Sequence, residues 1–191
     1  MSSSSEDRIS KFVDSVSKLR GISYVSVSSE GLPFKAAGIQ RQGAEYIAAI
    51  SHSLFTELQQ ISKEVDLGTP AWMKVFLKDN TNRIYIFPYD KFILTVKYDY
   101  VLDKLIEKLI ENLVKGIRII CQHCGADLTF EVYKCPKCGS SLTYNVKRCW
   151  NCGADVSIKQ CPKCGKYILP DGSKPGFITL LILKIKSIFS K

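Results

Sequence analysis

The sequence predicts an α+β fold in which a front domain of helices and strands precedes a small cysteine-rich module. Two observations predict this organisation. Apolar residues before residue 118 follow the helical period of 3.6 or the strand period of two, in the order αββαβββα. All eight cysteines, by contrast, lie at or after Cys121, so the 191-residue chain has two parts of different construction.

The front domain begins with a predicted amphipathic helix. Ser3 and Glu6 form a capping box, in which each side chain bonds a free backbone N–H of the first turn. Apolar residues then recur at helical spacing until Gly21, which is predicted to end the helix. The predicted core positions of this helix are Ile9, Phe12, Val13, Val16 and Leu19.

A hairpin and a long helix come next. The segment YVSVSSEGLPFKAAGI predicts two strands that turn at Glu30 and Gly31. Residues 43–70, which close with Gly68 and Pro70, predict a long helix. Its apolar line is predicted to contain Ile47, Ser51, Leu54, Leu58, Ile61 and Val65.

Three strands and a closing helix complete the front domain. The strand sequences are AWMKVFLK, RIYIFP and KFILTVKY, separated by DNTN and YD. The first has Trp72 and Phe76 on one face and further apolar residues on the other, as expected of a strand covered on both sides. The closing helix is predicted to start near Asp99. Its predicted buried residues are Leu102, Leu105, Ile106, Leu109, Leu113 and Ile117.

The front domain resembles the roadblock/LC7 (longin-like) family over residues 8–117. The resemblance rests on the opening helix, the hairpin GISYVSVSSEGLPFKAAG with its central Gly31, the long helix, the three-strand meander and the closing helix. The family implies a homodimer in which the long helices and central strands of two copies form one continuous sheet. Ala44, Ala48 and Ala49 suit close approach either of that second copy or of the chain's own sheet.

The same resemblance implies a non-enzymatic platform for a small Ras-like GTPase, acting as a scaffold or as an activator. The chain has no GxxxxGK phosphate-binding loop, so it is not itself the GTPase. Arg41 and Arg83 could supply a charge in trans or simply be solvated, and His52 fits a helix surface or a dimer contact. No catalytic and no cofactor-binding residues are predicted.

The cysteines form four CxxC pairs, each followed by a glycine. Two thiolates three positions apart can bind one ion from a tight turn, and glycine supplies the positive φ that closes the turn. In a reducing cytoplasm this pattern indicates metal rather than disulfides, and four thiolates leave no open position for catalysis. The predicted ligands of two zinc ions, four to each ion, are Cys121, Cys124, Cys135, Cys138, Cys149, Cys152, Cys161 and Cys164.

An internal repeat predicts which turns share an ion. CGAD recurs at 124 and 152, and CPKCG recurs at 135 and 161. Because the repeating unit is two turns long, the first turn is expected to pair with the second, and the third with the fourth. His123 lies inside the first turn but is predicted to be a bystander, since four sulfurs are available.

The cysteine-rich module resembles the double zinc ribbon family, two small rubredoxin-like units in tandem, over roughly residues 119–167. The resemblance implies structural zinc. Between the turns, apolar residues alternate with polar ones, which indicates short strands. The alternating residues are Leu128, Phe130 and Val132, followed by Leu142, Tyr144 and Val146.

The net charge of +9 suggests an alternative function. Residues 118–191 contain 12 Lys/Arg and 4 Asp/Glu, but eight thiolates and two zinc ions would lower their net charge to about +4. A nucleic-acid-associated zinc-ribbon factor in transcription or RNA metabolism stays open as the less favoured interpretation. The residues that support it are Lys134, Lys137, Lys147, Arg148, Lys163 and Lys166, near Tyr133, Tyr144 and Trp150.

The C-terminal segment predicts an amphipathic helix over residues 177–191 after a turn-rich hinge at 169–176. Such a helix is too short to span the hydrocarbon core of about 30 Å. It can lie on an anionic membrane surface, dock on its own protein or enter a partner's groove, and the membrane surface is favoured. Its apolar face contains Phe177, Ile178, Leu181, Ile182, Ile185, Ile188 and Phe189.

The sequence therefore predicts four segments. Residues 1–117 form a dimerisation and GTPase-binding domain, 118–168 a double zinc ribbon, 169–176 a hinge and 177–191 the amphipathic helix. No secretory signal or membrane-spanning run is predicted. The expected protein is a cytoplasmic, zinc-stabilised GTPase adaptor, peripheral at the inner face of the membrane.

Overall fold

The computed structural model describes residues 4–79 and 81–176. It divides into two compact units, Met1–Ile106 and Glu107–Lys191. The four segment boundaries predicted from the sequence stay predictions, and the helix predicted over 177–191 lies outside the described residues. Within the described ranges, no helix has the length and apolar content needed to cross a membrane.

The first unit is built on a five-stranded antiparallel sheet with the strand order β2-β1-β5-β4-β3. This confirms the predicted α+β class and the element order αββαβββα. A 3₁₀ turn precedes the last helix, α3, which continues from the first unit into the second. The elements are α1 (Ser5–Val16), β1 (Ile22–Ser29), β2 (Leu32–Ala37), α2 (Arg41–Glu64), β3 (Met73–Phe76), β4 (Asn82–Tyr89), β5 (Phe92–Asp99), the 3₁₀ turn (Tyr100–Leu102) and α3 (Asp103–Val114).

Helices α1 and α2 cover opposite faces of this sheet. Phe12 of α1 meets Phe87 of β4 edge to face, with 6.2 Å between the ring centroids. Phe87 lies opposite Leu94 of β5, so Thr95, the next residue of β5, points to the other face. There the Thr95 hydroxyl donates a 2.8 Å hydrogen bond to Ser51 Oγ of α2.

The first helix has the predicted face but different ends. Its N-cap is Ser4 rather than the predicted Ser3, and Ser4 Oγ accepts a 3.3 Å hydrogen bond from the Asp7 N–H. The helix stops at Val16 instead of continuing to Gly21, because the next residues form a tight turn. The predicted core residues Ile9, Phe12, Val13 and Val16 are fully buried, and Leu19 is half-buried.

The hairpin turn and the closing helix are confirmed, as are all but one of the predicted buried residues of that helix. Glu30 and Gly31 both have positive φ, 52° and 78°, as a tight hairpin turn requires. The Asp99 side chain accepts from the Val101 N–H and begins the 3₁₀ turn ahead of α3. The predicted buried residues Leu102, Leu105, Ile106, Leu109 and Leu113 are buried, whereas Ile117 lies beyond the helix and is half-buried.

The inward face of α2 differs from the predicted apolar line. The buried residues of this helix are Ala44, Ala48, Ser51, Phe55 and Ser62. Of the predicted line only Ser51 is buried; Leu54, Ile61 and Val65 are exposed, and Ile47 and Leu58 are half-buried. The prediction was wrong because it assumed that the largest apolar residues point inward. Four of the five inward residues are small, which lets the helix approach the sheet closely.

The second unit has little regular structure. Two two-stranded antiparallel sheets pair β6 (Val132–Lys134) with β7 (Ser141–Thr143), and β8 (Lys159–Gln160) with β9 (Tyr167–Ile168). The strands predicted around residues 128–132 and 142–146 are therefore shifted and shortened. Leu128, Phe130 and Tyr144 are buried but lie outside the strands.

Candidate functional site

The four CxxC turns of the second unit share one backbone geometry. In each turn the N–H of the following glycine donates to the carbonyl of the first cysteine, at 2.8 to 2.9 Å. These glycines have φ between 69° and 74°. No atom lies within 4 Å of a Cβ built on any of them, so glycine is required there for the backbone conformation and not for lack of space. The glycines are Gly125, Gly139, Gly153 and Gly165.

The turns assemble two clusters of four cysteines in a nested order. The outer cluster joins the first turn to the fourth and contains Cys121, Cys124, Cys161 and Cys164. The inner cluster joins the second turn to the third and contains Cys135, Cys138, Cys149 and Cys152. The predicted pairing of consecutive turns is therefore wrong. Both arrangements combine one CGAD turn with one CPKCG turn, so the internal repeat could not distinguish them.

The sulfur positions fit tetrahedral metal sites. Within each cluster all four sulfurs lie within 4.8 Å of one another. The distance from Cys124 Sγ to Cys161 Sγ is 3.8 Å in the outer cluster, and from Cys138 Sγ to Cys149 Sγ 3.6 Å in the inner one. A tetrahedral zinc ion with Zn–S bonds of about 2.3 Å separates its sulfurs by about 3.8 Å. Either set of four cysteines can hold such an ion.

In each cluster the surroundings lower the pKa of one thiol, the step toward the thiolate that binds metal, and raise that of another. The raised pKa values belong to Cys124 and Cys152, where the Ala126 and Ala154 N–H groups lower the pKa but burial and the neighbouring cysteines raise it more. Burial opposes ionisation of Cys121, but the backbone N–H groups of His123 and Cys124 outweigh it and lower the pKa of this thiol to about 7. The Ser140 hydroxyl, 3.3 Å from Cys138 Sγ, and the Ser140 N–H lower the pKa of Cys138 to about 6. One cysteine of each cluster is thereby set to ionise near neutral pH.

His123 belongs to neither cluster, as predicted. Its Nε2 lies 3.2 Å from the backbone carbonyl oxygen of Tyr167 in β9. This contact connects the first CxxC turn with the strand that follows the fourth. Its position agrees with the nested order, in which those two turns share the outer cluster.

A buried asparagine anchors the last turn of α3 to both halves of the second unit. Asn112 is completely buried, and its Nδ2 donates to the Thr129 carbonyl at 3.0 Å. Its Oδ1 accepts from Asn145 Nδ2 at 2.7 Å, and Asn145 Oδ1 accepts from the Thr143 hydroxyl. Sequence reasoning missed this residue. The available signal was an amide directly beside Leu113, on the apolar side of the closing helix.

The aromatic residues that supported nucleic-acid binding are used inside the second unit. Tyr144 is buried, its hydroxyl donates to the Gln160 carbonyl at 3.2 Å, and its ring lies 5.3 Å from that of Tyr133. Tyr133 and Trp150 are half-buried. The six basic residues named for this interpretation are all exposed. Of the three aromatic residues named for this interpretation none is fully exposed, so their area for stacking on single-stranded bases is reduced, whereas the cations are accessible.

The first unit exposes a continuous apolar stripe on α2. Its residues lie four or seven positions apart and share one helix face, which adjoins the side that packs on the sheet. Exposed apolar surface of this extent is typical of an interaction site. We call this set the α2 stripe: Tyr46, Ile50, Leu54, Ile61 and Val65, which are 41% to 64% exposed.

The two edges of the sheet differ in their capacity to pair with another strand. Edge strand β2 contains Pro33 and faces a register irregularity at Val27/Ser28, both of which discourage further pairing. Edge strand β3 pairs regularly with β4 and contains no proline. Its one charged residue is Lys74, whose Nζ lies 3.2 Å from Asp103 Oδ1. This ion pair directs the lysine charge to Asp103, so the charge does not oppose pairing of another strand with β3. Trp72, which directly precedes β3, and Phe76, the last residue of β3, are exposed.

Arg41 and Arg83, the two arginines considered for a role in trans, and His52 each have different neighbours in the first unit. The Arg83 guanidinium lies over the Phe76 ring, 4.6 Å from its centroid, and 5.9 Å from that of Tyr100. Arg41 is exposed on the first turn of α2 and pairs with Glu45 at 3.1 Å. His52 is half-buried beneath the hairpin turn.

Two solved structures are similar to this chain. No family model matches the sequence, and no curated protein matches it. The chain is similar to the solved structure of a Roadblock/LC7 domain from Streptomyces avermitilis, with a TM-score of 0.48 and 17% identity over 56% of this chain and 89% of that chain. It is also similar to Myxococcus xanthus MglB, with a TM-score of 0.45 and 17% identity over 60% of this chain and 96% of that chain.

The buried Asn112 network yields a testable prediction. Asn112→Ala leaves the Thr129 carbonyl and Asn145 Nδ2 without their partner, which should lower the free energy of unfolding of the second unit by about 1–3 kcal/mol. Val114→Ala, at an exposed position of the same helix, should change it by less than about 0.5 kcal/mol. Urea unfolding of the metal-loaded full chain measures both. Equal effects would contradict the anchoring role of Asn112.

Proposed function

We propose that this chain is a non-enzymatic adaptor or regulator of a small Ras-like GTPase, built as a roadblock/LC7-type homodimer with two zinc-stabilised ribbons. The α2 stripe is the observation that carries the proposal. A helix that turns small residues toward its own sheet and large apolar residues outward is suited to bury that outward face against another protein.

A second copy of the chain is the occupant that fits the α2 stripe best. Burial of its five large side chains is worth roughly 1.5–3 kcal/mol each before the costs of association. Edge strand β3, regular and free of proline, offers a place where the sheet of a second copy could continue. A helix face and a sheet edge together match the dimer that the roadblock/LC7 resemblance implies.

Zinc is the metal that the two clusters favour. Tetrahedral sets of four thiolates suit zinc or iron–sulfur chemistry, and fully ligated zinc needs no further partner. The second unit has two small apolar clusters in which buried cysteines are members. We assign zinc a structural role there, in which ligation supplies folding free energy.

The assignment to GTPase regulation rests on the family resemblance together with the absence of a phosphate-binding loop in the sequence. A scaffolding role is favoured over an inserted arginine, because Arg83 is held against Phe76 and Arg41 is paired along its helix. The segment 177–191 completes the proposal as a tether to an anionic membrane surface or to a partner, through the seven apolar residues named above.

The homodimer gives the first test. Leu54→Asp places a charge in the α2 stripe and should raise the dimer dissociation constant at least about 100-fold, since an unpaired buried charge costs several kcal/mol. Thr56→Asp introduces the same charge at an exposed position of α2 away from the stripe and should leave the dimer intact. Sedimentation equilibrium measures both, with circular dichroism as the control for folding. A monomeric wild type, or a dimeric Leu54→Asp variant, would refute this assembly.

GTPase binding gives the second test. The full chain, immobilised with zinc present, is exposed to purified Ras-like GTPases of the same organism, loaded with GDP or with a non-hydrolysable GTP analogue. We expect the wild type and Thr56→Asp to retain at least one GTPase in a nucleotide-dependent manner. If the wild type stimulates GTP hydrolysis, we expect Arg41→Ala to stimulate it to the same extent. Retention of none, combined with steeply salt-dependent binding of DNA or RNA, would favour the nucleic-acid alternative instead.

A further inference from the structure

The two cysteine clusters close loops of very different length. In the inner cluster, Cys138 and Cys149 are 11 residues apart in sequence, whereas Cys124 and Cys161 of the outer cluster are 37 apart. The whole inner cluster lies inside the loop that the outer cluster must close. Because loop-closure entropy grows with loop length, the outer cluster costs more to assemble when the inner one is absent.

The inner apolar core is more local in sequence than the outer one. The core around the inner cluster consists of Cys135, Leu142, Cys149 and Val156, and the half-buried residues against it all lie within 133–154. The core around the outer cluster includes Tyr144, which lies between the two inner turns. The apolar residues of the inner core thus all lie within 133–156, whereas the outer core needs Tyr144, a residue that the inner cluster positions.

Two hydrogen bonds connect the segment between the inner turns with strand β8. The Tyr144 hydroxyl donates to the Gln160 carbonyl at 3.2 Å, and Lys159 Nζ donates to the Val146 carbonyl at 2.7 Å. Both connect the loop between the inner turns with strand β8, which directly precedes Cys161. The inner cluster closes the loop that contains Tyr144 and Val146. Because this loop bonds to β8, it positions the fourth turn for the outer cluster.

We propose that the two metal sites load in a fixed order, with the inner site first and the outer site on the scaffold that the inner site forms. This inference rests on the metal occupancy proposed above but is independent of the GTPase. The ratio of the two loop lengths alone gives the inner site an advantage of about sixfold in affinity. The coupling of the two metal affinities through Tyr144 and β8 is reciprocal. Metal in the outer site therefore also raises the metal affinity of the inner site.

Half-loaded wild-type protein tests the order directly. Metal is removed from the reduced full chain, one equivalent of zinc is returned, and free thiols are alkylated in a short pulse. Mass spectrometry then reports the modification of each cysteine. We expect the four inner cysteines to be protected and the four outer ones to be modified, with a preference of at least about sixfold. Equal protection of the two sets, or protection of the outer set first, would overturn the proposal.

Two matched double variants provide an independent measurement. Cys138→Ser/Cys149→Ser disables the inner site and Cys124→Ser/Cys161→Ser the outer one, and each removes one exposed and one buried cysteine. Cobalt(II) titration against a competing chelator should show that the site left in the inner-site variant binds at least about sixfold more weakly than the site left in the outer-site variant. Equal affinities, or the reverse order, would contradict the proposal. Failure of the wild type to protect any cysteine at two equivalents of zinc would instead refute the metal occupancy itself.

Discussion

The assembly of eight cysteines into two clusters of four is the constraint on which the second unit depends. Its regular secondary structure within residues 119–176 amounts to four strands of two or three residues, too little to define a fold. The core positions that a larger domain gives to aliphatic residues are shared here with cysteines, among them Cys121, Cys135, Cys149 and Cys161. In the proposed metal-bound state, an ion joining four distant sulfurs would replace the apolar contacts that so short a chain cannot make.

The nested order of the cysteines makes the two clusters structurally dependent on each other. A tandem of independent ribbons could lose one site and keep the other unchanged. In the nested arrangement the outer turns enclose the inner segment, and Tyr144 and Lys159 connect the two by hydrogen bonds. Asn112 adds a third connection, from the end of α3 to Thr129 and Asn145. The second unit is therefore expected to respond to metal as a whole.

The first unit differs from the second in that it leaves a row of apolar residues, the α2 stripe, exposed to solvent. The inward side of α2 consists mainly of alanine and serine, which pack closely on a sheet face that is itself lined with Ser26, Ser28 and Thr95. Apart from the buried Phe55, most of the larger apolar residues of the helix are exposed or half-buried in the single chain. That distribution stabilises the monomer less than the sequence composition would allow, and the α2 stripe can regain this free energy on association.

The sequence was sufficient for the elements and insufficient for their partners. Helix α1 was predicted correctly in its face because Ile9, Phe12 and Val13 are both the largest and the most buried residues. The α2 face was wrong because periodicity locates an apolar face but does not state whether the chain's own sheet or another protein covers it. The CxxC spacing identified all eight cysteines that the clusters contain, yet the turn pairing depends on long-range topology that a repeat does not encode.

The pairing of the turns is the most direct test of this account, and zinc content per chain measures it. Cys124→Ser/Cys164→Ser damages only the outer cluster in the nested arrangement and should retain one zinc ion after dialysis, whereas Cys124→Ser/Cys138→Ser damages both clusters and should retain none. Consecutive pairing of the turns would give the opposite result, with no zinc in the first variant and one ion in the second, and would contradict the nested structure.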